Sequence, residues 1–300
     1  MKAKAWLSAV RLRTLPLSVS GILVGTALAG IYGHSNPAIF SLAILTTLGF
    51  QITSNLANDY GDGVKGTDNA DRIGPQRAYQ SGALSNKELK TGIVLSVGVT
   101  LIFIVALIYL AFSTEILYLI LFAVFGVVSI WAAIRYTVGN SAYGYRGLGD
   151  IFVFCFFGLL SVLGSMFLFT KYLTFSSVLP ATAIGLLSTA VLNLNNLRDF
   201  QSDKKSNKNT LVVKLGFKNA KRYHYGLLIA SFLCMTLFMY IQMKHWYNAI
   251  CMVAYLPLFN HLLKVYRTQN PLQFDPELKK VALSTFFLAV FFYLGFNIFL

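Results

Sequence analysis

The sequence has few of the charged residues that a water-facing surface requires. Only 12% of its 300 residues are charged, whereas 56% are apolar. A soluble domain of this length needs a more polar exterior, so the composition indicates lipid as the solvent for much of the chain. The mean hydropathy of +0.63 agrees with this interpretation.

Cysteine and histidine are also scarce. The three cysteines, Cys155, Cys234 and Cys251, each lie inside an apolar run, which excludes a disulfide framework and a CxxC metal motif. The four histidines are scattered and lack metal-ligand spacing. The basic N-terminus is not followed by a small-residue cleavage site, so the first apolar run is interpreted as an uncleaved span.

Nine apolar runs are close to the length that crosses a bilayer, about 20 residues. We therefore predict an all-α fold, a polytopic membrane protein of nine transmembrane helices around a central cavity, forming one domain over residues 1–300. The predicted spans are Leu15–Tyr32, Ile39–Ala57, Gly92–Phe112, Ile116–Ile134, Leu148–Phe169, Phe175–Leu194, Gly226–Ile241, Ala249–Leu263 and Val281–Leu300.

The basic residues separate to one side of this topology. With a cytoplasmic N-terminus, every Lys and Arg except Lys171 and Lys244 falls in a cytoplasmic segment, as the positive-inside rule requires. The net charge of +14 is thereby explained as topogenic, and binding to nucleic acid is not expected because no soluble basic domain is present. We predict a multi-pass protein of the bacterial inner membrane.

The acids need another explanation, because the positive-inside rule does not call for them. All except Glu115 lie on the same side as the bases. Most belong to a first acidic segment, residues 55–72, and a second acidic segment, residues 195–203, which follow spans two and six.

Each acidic segment directs oxygen atoms to one side of a helix. Asn55, Asp59 and Asp62 fall within about 60° of one another, and the second segment's Asn195, Asp199 and Asp203 span about 80°. Crowded carboxylates repel unless a cation lies between them. Mg²⁺ prefers oxygen ligands and is usually held by one or two carboxylates plus substrate phosphates, so facing segments predict a magnesium diphosphate site.

The two segments match in spacing. Asn55 and Asp59 are separated from Asn195 and Asp199 by the same number of residues. This indicates a pseudo-repeat of helix–loop–helix units around residues 39–112 and 175–241, with the site at the repeat interface. Among the neighbouring bases, Arg72, Arg77 and Lys208 are candidates to bind diphosphate oxygens.

These motifs resemble the UbiA-type family of intramembrane aromatic prenyltransferases, whose members have nine transmembrane helices and two Asp-rich motifs. The second segment matches the family's NxxxDxxxD pattern. The first departs from it, because Gly63 stands where the last Asp would be and Asp62 or Asp68 would substitute. Residues 13–17, 55–83, 143–152 and 193–217 resemble the branch of menaquinone biosynthesis.

The resemblance implies an enzyme that transfers a polyprenyl group, octaprenyl by expectation, from its diphosphate to 1,4-dihydroxy-2-naphthoate. The ring would lose its carboxylate as CO₂, and the product would be demethylmenaquinone. Asp59, Asp62, Asp68, Asp199 and Asp203 would bind Mg²⁺. Of these, Asp59, Asp62, Asp199 and Asp203 are the predicted catalytic acids, while Asn55 and Asn195 would orient ligands or phosphate oxygens.

The remaining prenyl cation needs dry walls of electron-rich rings, for which Phe152, Phe154, Phe156 and Phe157 are candidates. Three further residues are candidates for the aromatic acceptor. Tyr136 matches a family Tyr-Thr, although Gly139 replaces the basic residue common just beyond. Asp150 either contacts the acceptor or caps span five, and Arg13 either meets the acceptor's carboxylate or is topogenic.

Two other functions are also compatible with the sequence. One is prenylation of another acceptor within the family, such as 4-hydroxybenzoate in the ubiquinone branch. The other is an ion-coupled secondary transporter, although transporters carry their ionisable groups near the bilayer midplane rather than at helix ends.

Overall fold

The computed structural model describes residues 2–67 and 76–297. All regular structure within these residues is helical, and nine of the helices are long and apolar enough to cross a membrane. The predicted all-α membrane fold is thereby confirmed. The spans are Lys2–Ile31, Pro37–Val64, Asn86–Phe112, Ile116–Arg135, Gly149–Thr170, Phe175–Arg198, Phe217–Gln242, Trp246–Arg267 and Pro271–Asn297.

The described residues contain thirteen α-helices, some of them joined by short 3₁₀ turns, and two short ones within residues 200–215 lie between spans six and seven. A π-helical segment, Phe154–Gly164, completes span five, and a 3₁₀ helix, Trp246–Tyr255, begins span eight. The α-helices are α1 (Lys2–Val10), α2 (Leu15–Ile31), α3 (Pro37–Val64), α4 (Asn86–Phe112), α5 (Ile116–Arg135), α6 (Gly149–Val153), α7 (Ser165–Thr170), α8 (Val178–Arg198), α9 (Phe200–Lys205), α10 (Leu211–Leu215), α11 (Phe217–Gln242), α12 (Leu256–Arg267) and α13 (Phe274–Asn297).

Spans seven and eight are longer than their apolar runs. Span seven begins at Phe217, well before the predicted Gly226, because polar side chains at its start find partners inside the protein. Lys221 Nζ donates to Tyr266 O at 2.9 Å and Thr268 O at 2.8 Å. Hydropathy does not take such hydrogen bonds into account, so it underestimates the length of a helix whose polar end residues have partners inside the protein.

Helix α8 lies at the centre of one half of the molecule. It packs against α11, α13 and the π-helical segment, and its central apolar residues are fully buried. The π-helical segment approaches it closely at Gly158, where an added methyl group would lie 2.5 Å from Gly185 Cα. Glycine at both positions permits this contact, as is common where membrane helices touch.

Helices α3, α4 and α5 form the other half, and α2 contacts both. Two large apolar clusters correspond to these halves, one around α8 and one around α3 and α4. Spans two and three pack against each other in one half, as spans six and seven do in the other. This is consistent with the pseudo-repeat, which stays a prediction.

Candidate active site

A cavity of about 940 Å³ lies between the two halves. Its polar end is lined by residues of both acidic segments, including Asp62 from the first and Asp199 and Asp203 from the second. Asn55 and Asn195 line it as well. Segments that are far apart in the sequence therefore face one space at the ends of α3 and α8.

Helix α3 brings the first acidic segment into the protein interior. It continues to Val64, beyond the predicted end at Ala57, so Asn55, Asp59 and Asp62 all lie on it. Asn55 Nδ2 donates to Val10 O at 2.8 Å and to Thr14 Oγ1 at 3.1 Å. The amide thus holds α3 against the turn between α1 and α2.

Asp59 is almost fully buried and is paired with two guanidinium groups. Arg11 donates to Asp59 Oδ1, and Arg77 Nε lies 3.7 Å from the same oxygen. Asp59 is not among the residues that line the cavity, whereas Arg11 and Arg77 are. The two arginines therefore separate this carboxylate from the cavity.

Asp62 faces the cavity and joins the two halves. It accepts a hydrogen bond from Tyr145 Oη at 2.7 Å, and Lys208 Nζ lies 3.4 Å from its Oδ2. Burial raises the pKa of Tyr145, and the charge of Asp62 raises it further. Tyr145 therefore keeps its proton and remains a donor to the carboxylate.

The second acidic segment is organised by Arg198, whose side chain is 2% exposed. Its guanidinium donates to both oxygens of Asp199, at 2.9 and 2.8 Å, and to Asn195 Oδ1 at 2.8 Å. It also donates to Asp275 Oδ1 on α13 at 2.7 Å. Asn195, Asp199 and Asp203 were predicted to share one face of a single helix, but α8 ends just before Asp199. Asp203 N still donates a hydrogen bond to Asp199 O at 2.8 Å. This bond carries the helical course on into α9.

The donor set fits a hard divalent cation that a bound substrate completes. Carboxylate and amide oxygens of both segments line one cavity, and these are the ligands that Mg²⁺ prefers. Within residues 2–67 and 76–297, no three His, Cys, Asp or Glu side chains are grouped closely enough to hold a metal by themselves. Magnesium sites that rely on one or two carboxylates and substrate phosphates do not need such a group.

Comparison with known proteins identifies the family. Residues 18–291 match the UbiA prenyltransferase family. The chain belongs to the UbiA prenyltransferase family. Proteins named 1,4-dihydroxy-2-naphthoate octaprenyltransferase are similar over nearly their whole length. One, from Escherichia coli (strain K12), is 45% identical over 98% of this chain and 95% of its own. The one from Haemophilus influenzae is 42% identical over 98% and 96%.

Solved structures of two UbiA homologs share the fold. The homolog from Archaeoglobus fulgidus bound to GPP and Mg²⁺ superposes with a TM-score of 0.67, covering 97% of this chain and 98% of that one at 14% identity. The apo homolog from Aeropyrum pernix K1 gives 0.68, covering 95% and 97% at 15% identity. The family resemblance and the fold that the sequence predicts are both confirmed.

Of the three bases predicted to bind the diphosphate, two lie at the cavity of this UbiA family member. Arg77 and Lys208 both line the polar end of the cavity. Asp68 and Arg72 lie outside the described residues, so their predicted roles stay predictions.

The predicted acceptor residues separate into two groups. Tyr136 and Arg13 line the cavity, but Asp150 does not. Asp150 is the second residue of α6, whose N-cap is Leu148. The alternative that Asp150 is the capping residue of span five is therefore wrong. The Asp150 side chain is instead buried, and its Oδ1 has no hydrogen-bond partner among the described residues. Burial, with Asp62, Asp150 and Asp203 nearby, raises the pKa of Tyr136, so its hydroxyl stays protonated.

Three of the four candidate wall residues face the UbiA cavity. Phe152, Phe156 and Phe157 line it, and the Phe152 ring stacks on Tyr143 with centroids 3.8 Å apart. Phe154 instead packs towards α8, where a methyl group on Gly185 would lie 2.8 Å from Phe154 Cδ2.

Sequence reasoning missed Arg11, Arg198 and Tyr145 as parts of the site. The sequence places Arg11 among the topogenic charges and Arg198 beside the acids, but it does not select either as a diphosphate-binding residue. The available signal was their position, since Arg11 precedes the first apolar run closely and Arg198 lies inside the second acidic segment. Nothing local in the sequence indicated that Tyr145 would contact Asp62.

Proposed function

We propose that this protein transfers an octaprenyl group from its diphosphate to 1,4-dihydroxy-2-naphthoate, with loss of the carboxylate as CO₂, to give demethylmenaquinone. The nearly full-length similarity to proteins named 1,4-dihydroxy-2-naphthoate octaprenyltransferase supports the choice of these two substrates. The observation that carries the proposal is one cavity with acids and bases at one end and apolar walls along the rest. An amphipathic lipid diphosphate matches both ends of such a cavity.

The bases at the polar end would bind the diphosphate. Lys208, Arg77 and Arg11 line this end and supply fixed positive charge where the leaving group becomes more negative. Lys208 contacts Asp62 at 3.4 Å, so its ammonium already lies between the two acidic segments.

The acids would hold Mg²⁺ together with the diphosphate. Asp62, Asp199 and Asp203 line the cavity, with Asn55 and Asn195 as neutral oxygen donors. Asp275 lines it too, but it is paired with Arg198. When bound, the ion neutralises charge that develops on the departing diphosphate. Asp59 and Asp68 are further proposed ligands, and Asp59 would first have to exchange its arginine partners for the ion.

The chain's aromatic rings would then protect the allylic cation. Phe152, Phe156 and Phe157 line the cavity and would exclude water, and a ring whose face meets the cation would contribute about 0.5–2 kcal/mol. Tyr136 would donate its hydroxyl proton in a hydrogen bond to the acceptor, and Arg13 would meet the acceptor's carboxylate. Asp150 acts, in this proposal, as a buried carboxylate at the start of α6 that lies near Tyr136.

The proposed location is the bacterial inner membrane, with the N-terminus in the cytoplasm. The charge separation of the loops supports this orientation, because Lys171 and Lys244 alone lie on the other side. Single cysteines introduced at Lys87 and Lys244 test it. A membrane-impermeant maleimide applied to intact cells should label the Lys244 position only, and the reverse pattern would overturn the orientation.

The activity is tested with the purified protein in lipid nanodiscs. Octaprenyl diphosphate and 1,4-dihydroxy-2-naphthoate should give demethylmenaquinone and one equivalent of CO₂ with added Mg²⁺, and neither product with a chelator. The parallel reaction with 4-hydroxybenzoate should give no product. Preference for 4-hydroxybenzoate would assign the protein to the ubiquinone branch, and release of product without CO₂ would contradict the proposed reaction.

A further inference from the structure

The cavity extends far beyond the residues that would hold the diphosphate. Both Asp62 and Ala43 line it on α3, roughly 19 residues apart, which corresponds to roughly 28 Å of helix. This is close to the thickness of the hydrocarbon core of a bilayer. The end remote from the acids is apolar, and it is lined by Ala43, Ile104, Phe122, Gly164 and Leu168.

Gly164 stands out at this apolar end because no other requirement explains a glycine there. Its φ and ψ of −60° and −44° are right-handed helical values that any residue adopts. Glycine in a helix is unfavourable relative to alanine, so the position carries a cost that needs a compensating reason.

Packing does not require a glycine at this position either. A methyl group on Gly164 would lie 3.5 Å from Leu160 Cδ1 and 4.0 Å from Phe122 Cε1, which are ordinary van der Waals distances. Gly158 on the same segment differs, because a methyl group there would lie 2.5 Å from the backbone of Gly185. Since Leu160, Phe122 and Gly164 all line the cavity, a larger side chain at Gly164 would occupy cavity space.

We propose that Gly164 is a specificity-determining residue, which keeps the apolar end of the cavity open for the distal isoprene units of a long prenyl chain. The inference rests on the proposed function, because it assumes that the diphosphate is bound at the acidic end. With the headgroup fixed there, chain length alone decides whether a donor reaches Gly164. A short prenyl diphosphate ends before it, whereas a long one must pass along the wall that Gly164 and Phe122 help to form.

The test compares donors of different length in the wild type and in Gly164→Leu. Reaction rates with 1,4-dihydroxy-2-naphthoate are measured for geranyl, geranylgeranyl and octaprenyl diphosphate. We expect kcat/KM for the octaprenyl donor to fall at least about tenfold, as overpacking of a filled site predicts, while that for the geranyl donor stays within about twofold. An unchanged ratio between the two donors would overturn the inference.

Gly98→Leu is the matched control. Gly98 lies mid-helix on α4 with an exposed surface, and an added methyl group there would meet nothing within 4 Å. The same substitution should therefore leave the donor ratio unchanged. An equal loss of the long donor in Gly98→Leu would mean that any bulky change in a span has this effect, which also overturns the inference.

Two further measurements keep the test decisive. If Gly164→Leu does not accumulate in the membrane, Gly164→Ala adds one methyl group at permitted distances and should lower the donor ratio about threefold. If the wild type prenylates no acceptor, the proposed function fails, and the affinities of the same diphosphates are measured instead. Equal affinity ratios in wild type and variant would then overturn the role of Gly164 independently.

Discussion

Lys208 Nζ lies 3.4 Å from Asp62 Oδ2, although the two residues are 146 positions apart in the sequence. The contact joins the loop after α9 to the end of α3, and thus the second acidic segment to the first. Both side chains are largely buried and both line the cavity. The acidic ends of two distant spans are therefore parts of a single site.

Replacing Lys208 by methionine tests whether this ammonium serves the diphosphate. The change removes a charge while retaining most of the apolar stem. We expect the KM for octaprenyl diphosphate to rise about tenfold or more, because a hydrogen bond to a charged group is worth about 1.5–3 kcal/mol. The KM for the naphthoate should change little. Lys204→Met, at an exposed position on α9, is the control and should leave both constants unchanged.

The convergence of the acidic segments was predictable from sequence, but the partners of the acids were not. The number and order of the spans depend on local hydropathy, so all nine spans were predicted, although several of their ends were not. The pairs Asp62–Lys208 and Asp59–Arg11 depend on how loops and helix ends fold back, and no local pattern encodes this. For the same reason the extension of α3 to Val64 was not predicted.

Asp199 and Asp203 should be indispensable for turnover. Asp199→Ala and Asp203→Ala should each abolish magnesium-dependent product formation, because the remaining oxygens cannot hold the ion and its diphosphate together. Both variants should still insert and remain monodisperse in detergent, although Asp199→Ala also removes a partner of the buried Arg198 and should lower the unfolding temperature. Wild-type rates in either purified variant would remove the proposed metal role.

Glu115→Gln is the matched control for loss of a carboxylate. Glu115 lies at the start of α5, where it accepts from Lys171 Nζ at 2.7 Å. It does not line the cavity, so the change should leave the magnesium dependence and kcat unaltered. A comparable loss of activity in Glu115→Gln would indicate that the effects at Asp199 and Asp203 arise from folding.

Arg11 should matter more than Arg13, the arginine that the sequence favoured. Arg11 pairs with the buried Asp59, so Arg11→Met removes the nearer of the two guanidinium groups that contact this carboxylate among the described residues. Breaking a buried pair costs about 3–5 kcal/mol, and we expect a clear drop in the unfolding temperature in detergent. Arg13→Met should leave the unfolding temperature near that of the wild type and raise the KM of the naphthoate. The opposite order would contradict the role given to Arg11.

The course of span five explains why aromatic residues are harder to assign than acids. The sequence Phe152–Phe157 offers several rings within two turns, and an α-helical period does not identify those that face inward. The structure replaces the α-helix by a π-helical segment from Phe154 onward, whose wider turn alters the direction of each following side chain. Phe154, the first residue of this segment, packs towards α8 rather than the cavity.

Tyr136→Phe tests the acceptor side of the cavity alone. The tyrosine hydroxyl stays protonated because burial and three nearby carboxylates raise its pKa, so it acts as a hydrogen-bond donor throughout the physiological pH range. Removing it should raise the KM for 1,4-dihydroxy-2-naphthoate about threefold to tenfold, the usual worth of one hydrogen bond. The KM for octaprenyl diphosphate should not change, and Tyr240→Phe, at an exposed position on α11, should alter neither constant. A change confined to the KM for octaprenyl diphosphate would mean that Tyr136 contacts the prenyl donor rather than the aromatic acceptor.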